Sequence, residues 1–154
     1  MRQRLPLTQD ASTASRNEQI MFAPLGHLQF NVQAENLPFY RDLVVFLGWN
    51  LIGDWPGMVG LGTSDGQSLW FSGDVKAVTN DYDGPGLNHL AFAAASIADV
   101  DAAVAYLQAR GVALLFETPR HRPEFARDEL STYYQVMFET PDRILLEIVY
   151  IGPR

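Results

Sequence analysis

The sequence predicts an α+β fold made of one unit, strand then helix then three strands, used twice. Three observations predict it: a short segment that recurs at a fixed offset, a helix-spaced apolar stripe ending in glycine after each copy, and three short strand candidates behind each helix. The recurrence comes first. Leu25-Gly26-His27-Leu28-Gln29-Phe30 is answered by Leu87-Asn88-His89-Leu90-Ala91-Phe92, with Leu, His, Leu and Phe all repeated at an offset of 62 residues. A fixed-offset match that includes a rare residue marks an internal repeat.

The elements follow in order. Residues 1–21 are rich in Ser, Thr, Gln and Arg without helical or strand periodicity, and are expected to form a flexible leader. The first module is expected over 22–80 and the second over 86–151, joined by the Asp81–Gly86 linker (DYDGPG). In the first, Leu37, Tyr40, Val44 and Leu47 recur at three- and four-residue spacing and predict a helix over 36–47, closed by Gly48. Val100, Ala103, Val104 and Leu107 predict its counterpart over 97–110, closed by Gly111, with Asp99 and Asp101 near the start and Arg110 near the end as the helix dipole favours. Strands are expected at 49–54, 58–63 and 68–72, then at 112–117, 133–139 and 144–151, with turns at Asp65-Gly66 and Pro141-Asp142. The copies differ in one loop. Thr118–Thr132 is longer than Trp55–Gly57, long enough to serve as a lid.

A chain of 154 residues holds one ordinary domain. Its 18 acidic side chains against 11 basic ones give a formal charge of -7, which repels phosphate backbones and anionic membranes, so neither nucleic acid nor membrane is an expected partner. No apolar stretch approaches the ~20 residues of a bilayer span, and the expected location is the cytoplasm. There is no cysteine, so thiol chemistry is excluded and any metal must be held by His, Asp or Glu.

Strand side chains alternate between faces. His27, Gln29 and Asn31 therefore share a face opposite Leu28, Phe30 and Val32, and His89 lies with Ala91 and Ala93. Ser68, Trp70 and Ser72, and likewise Tyr133, Gln135 and Met137, form further mixed faces, which together describe a lined cavity for a small-molecule substrate. Gln29, Asn31, Trp70 and Gln135 are its candidate binding residues. In the last strand Glu147 is the one carboxylate in an otherwise apolar run, Ile144-Leu145-Leu146-Glu147-Ile148-Val149-Tyr150, so burial demands a cation, a hydrogen-bonding partner or a raised pKa. Two histidines at equivalent repeat positions and this carboxylate make a 2-His-1-carboxylate set, His27, His89 and Glu147, that leaves metal positions open. Tyr133 is a candidate donor to a developing oxyanion. His121, in Pro119-Arg120-His121-Arg122-Pro123, is a candidate general acid or base, and its two flanking arginines can hold an anionic substrate.

Tyr133 to Glu147, read as strand, Thr140-Pro141-Asp142-Arg143 turn, and strand ending in Glu, resembles the closing pattern of the vicinal oxygen chelate superfamily, the glyoxalase, bleomycin-resistance and extradiol-dioxygenase group; the His-bearing strand opening each half is the second point of likeness. The resemblance covers about residues 22–151. It implies paired βαβββ modules whose curved mixed sheets surround a central cavity, a divalent metal (Fe, Mn, Ni or Zn) on His27, His89 and Glu147, and a homodimer. Thr140 and Arg143 stand where the group's turn has Asp and Gly, which removes the glycine suited to a left-handed position. Trp70 stands where glyoxalases carry a further Glu ligand, and an indole cannot ligate, so the resemblance implies a three-ligand site. The implied activity is that of a metal-dependent dioxygenase or lyase/isomerase acting on vicinal oxygens. The alternatives are a metal-free ligand-binding protein of the bleomycin-resistance kind and an interaction domain that keeps the fold alone.

Overall fold

The computed structural model describes residues 22–154. The expected leader over 1–21 lies outside them. In the first half, strand β1 (His27–Asn31) leads through a short 3-10 turn into helix α1 (Leu37–Phe46), followed by β2 (Asn50–Trp55), β3 (Met58–Gly62) and β4 (Ser68–Ser72). The second half repeats this with β5 (His89–Ala93), α2 (Ile97–Ala109), β6 (Leu114–His121), β7 (Ser131–Glu139) and β8 (Leu145–Pro153). Both helices end by the same device, a left-handed glycine: Gly48 at φ 89° and Gly111 at φ 71°. Helix α2 also has a reciprocal N-terminal cap, Ser96 accepting from the Asp99 amide and donating to its carboxylate.

The sheets repeat too. Their strand orders are β1-β4-β3-β2 and β5-β8-β7-β6, the first pair of each parallel and the others antiparallel. The α+β fold of two βαβββ modules with mixed sheets is thus the observed one. Both helices and the apolar faces of both sheets meet in one core: Tyr40, Leu43, Val44 and Phe71 of the first module pack with Val100, Leu107, Phe138 and Leu146 of the second. Phe46 stacks on Tyr106 at 4.0 Å between ring centroids, and Trp49 meets Phe92 edge-on. Tyr40 joins the modules by polar contacts as well. Its hydroxyl donates to Asp142 at 2.7 Å and lies 2.9 Å from Thr140 Oγ1, while Asp142 accepts the Gln33 amide. Burial, the largest influence, holds this phenol well above its ordinary pKa.

The two four-stranded sheets are separate and not closed, each packing its apolar face on the shared core. One expectation is corrected. The long loop expected over Thr118–Thr132 is shorter than the sequence suggests, since β6 runs on to His121. Phe116 and Glu117 take left-handed conformations (φ 55° and 57°) and form a bulge, and the Thr118 hydroxyl ties it down by donating to the Leu115 carbonyl and accepting from the Met137 amide. Pairing then resumes, Arg120 with Gln135. Among the described residues, no helix is long and apolar enough to cross a membrane.

Candidate functional site

The parallel pairing of β5 with β8 sets His89 opposite Leu145 and Ala91 opposite Glu147, on the polar face of the second sheet. Glu147 is 1% exposed. Both of its oxygens are engaged: Oε1 accepts the Tyr133 hydroxyl at 2.7 Å, and Oε2 lies 3.1 Å from His89 Nε2. His89 Nδ1 lies 2.7 Å from Asn88 Oδ1 and donates to it, which turns Nε2 toward the carboxylate. A proton or a metal cation is what can sit between an imidazole nitrogen and a carboxylate oxygen so arranged. The donor pair therefore fits a divalent metal, and His89, its side chain 38% exposed, keeps the position open to a ligand.

Tyr133 is held as a donor. Burial first, then its bond to the Glu147 carboxylate, pushes its pKa up to about 12. The Arg122 amide donates to the Tyr133 carbonyl, and the turn Pro123–Phe125 that follows sets the Phe125 ring against the tyrosine, centroids 5.5 Å apart. Gln135 lies on the same face, 3% exposed, and its Nε2 has no hydrogen-bond partner among the described residues.

The other candidates lie elsewhere. His121 is not beside Glu147: pairing with Tyr134 places it on the opposite face of the sheet, where Nδ1 lies 2.6 Å from Thr132 Oγ1 and the ring leans on Tyr134. The sequence predicts His121 in the loop over Thr118–Thr132, whereas β6 continues past the bulge to include it. His27, Gln29 and Asn31 are exposed on the first sheet's polar face. Among the described residues no three His, Asp or Glu side chains group closely enough to hold a metal, so the chain does not bring His27 to the His89–Glu147 pair. Trp70 does occupy the place equivalent to Glu147, since Gln29 pairs with Trp70 as Ala91 pairs with Glu147. Its ring lies over Gly60, where an added Cβ would sit 2.6 Å from it, is nearly parallel to Trp55, and donates to Ser68 Oγ. Asn88 escaped the sequence reading. Its one signal is a break in the repeat, Asn88 against Gly26, immediately before the second histidine.

The family model for the Glyoxalase/Bleomycin resistance protein/Dioxygenase superfamily matches residues 24–148. Among solved structures, a candidate glyoxalase from Bacillus halodurans is 31% identical, with 82% of this chain and 94% of that one covered and a TM-score of 0.68. A glyoxalase/dioxygenase from Nostoc punctiforme is 20% identical over 88% and 98% of the two chains (TM-score 0.65), and a lactoylglutathione lyase from Agrobacterium tumefaciens 19% over 84% and 95% (TM-score 0.57); at that identity they show the fold alone. No curated protein matches the chain. With the repeated module, the sheet order and the family match over most of its length, the chain belongs to the glyoxalase/bleomycin resistance protein/dioxygenase superfamily.

Proposed function

We propose that the protein is a divalent-metal-dependent enzyme acting on a small substrate with two adjacent oxygens. The observation that carries this reading is the buried Glu147 carboxylate, directed at His89 Nε2 and fixed by Tyr133. Residues His89 and Glu147 hold the metal, with His27 of a second copy as the third ligand, because among the described residues His27 does not group with the His89–Glu147 pair. A bound divalent ion supplies Lewis acidity toward the substrate oxygens. Tyr133 orients the carboxylate and keeps its proton at neutral pH, where it can donate to an oxygen that gains negative charge. Asn88 fixes the ring of His89. A metal-free ligand-binding protein is the second reading, favoured by the near-parallel Trp55 and Trp70 rings at the place of a ligand.

Metal content of protein purified without chelator tests the proposal. The wild type is expected to hold close to one ion per chain, and His89→Ala, Glu147→Gln and His27→Ala to lose it. A wild type that stays empty after incubation with Fe(II), Mn(II), Ni(II) and Zn(II) overturns the enzyme reading.

A further inference from the structure

The face that carries Glu147 holds two donors that metal binding does not use. Partners in a register pair project to one side of a sheet, so Ala93, Val149, Gln135 and Arg120 form one row across β5, β8, β7 and β6, next to the row of Ala91, Glu147 and Met137. Gln135 is buried with an unpartnered amide nitrogen, as described above. Leaving such a donor unpaired costs its full desolvation penalty, and an acceptor brought in by a ligand relieves that cost. Across the strand pair from Gln135, the Arg120 guanidinium is held, among the described residues, by Glu117 alone, at 3.3 Å, and that carboxylate is 91% exposed. An exposed pair of this kind is weak, and a ligand oxygen displaces it at little cost. The remaining members of the row, Ala93 and Val149, are small and apolar. Glu147, on the adjacent row, is already engaged by Tyr133 and His89.

We infer that Gln135 and Arg120 form an anion subsite, and that the substrate is a small acid whose carboxylate sits there while its adjacent oxygens reach the His89–Glu147 pair. Same-face neighbours along a strand stand about 7 Å apart, which sets the distance between the two ends of the substrate. The subsite's own evidence is independent of metal; only the position of the other end rests on the proposed function. The molecule's formal charge of -7 works against an approaching anion, so discrimination falls to these short-range contacts.

The test is calorimetric binding of 3,4-dihydroxybenzoate against 3,4-dihydroxybenzamide, ligands of matched size that differ in charge, in metal-supplemented and chelator-treated protein. Wild type is expected to bind the acid about tenfold more tightly than the amide. Arg120→Ala brings that ratio to about one, Arg120→Lys keeps part of it, and Gln135→Glu, which preserves volume, reverses it. Far-ultraviolet circular dichroism identifies any variant that has not folded, and Arg120→Ala, on an edge strand, carries the test if Gln135→Glu fails. The inference is overturned by equal affinities in the wild type, by no binding of either ligand at millimolar concentration, or by a ratio unchanged in Arg120→Ala. Failure of the metal reading shows separately, as affinities indifferent to metal with the ratio intact.

Discussion

Glu147 organises the residues around it because it is a charge inside an apolar strand. One carboxylate within a run of Ile, Leu and Val must be compensated, and the compensation is found in Tyr133 and His89. That much was legible, as was the face on which Tyr133 and Gln135 lie, because both follow from strand alternation. Asn88 and His121 were not legible, since each depends on a local departure from alternation: a side chain just outside a strand in one case, a bulge in the other. Tyr133 also has a pH signature. Its proton is held more tightly in the folded protein than in the unfolded chain, so its contribution to stability is fully present below about pH 10 and is lost as pH rises through about 12. An ultraviolet titration should find tyrosinate forming late, with one late-titrating group gone in Tyr133→Phe; a Tyr133 that titrates near 10 refutes this. Tyr134, half-buried and bonded to Asp101, has its pKa pushed up to about 12 as well and serves as the internal comparison.

Between β7 and β8 the chain reverses at Thr140-Pro141-Asp142-Arg143, a turn whose family resemblance lacks its glycine. The left-handed position survives nonetheless. Arg143 adopts it, at φ 58°, and its carbonyl accepts from Asn80 Nδ2. An L-residue there costs about 1 kcal/mol relative to glycine, and the side chain's link to Glu139, at 3.6 Å and half exposed, offsets little of it. Arg143→Gly is therefore expected to raise unfolding free energy by about 0.5–1 kcal/mol in urea denaturation, and a loss of stability would show that the Glu139 contact outweighs the backbone. Element boundaries in general were readable because caps and turns are local: the left-handed glycines after both helices and the Asp65-Gly66 reversal stand where expected. The end of β6 was not, because Pro119 reads as a break while the Thr118 hydroxyl keeps the ladder together across the bulge.

At the scale of the molecule, the repeat in sequence is a repeat in topology, and sequence carried that far. It did not show which faces the modules share. Apolar helices and sheet faces were both visible, but only their packing reveals that Tyr40, Phe46 and Trp49 meet the second module and that, among the described residues, His27 does not join the His89–Glu147 pair. Under the proposed function that separation makes each chain a carrier of two half-sites, which turns the identity of the ligands into a problem of subunit genetics. Mix His27→Ala chains with Glu147→Gln chains, each unable to hold metal alone, and let them exchange. Half the dimers are hybrids, and in each hybrid one interface receives both defects while the other receives neither. Roughly one site in four should then recover its metal. A site built within a single chain would recover none, so two defective proteins repairing each other is the outcome that only a site shared between copies allows.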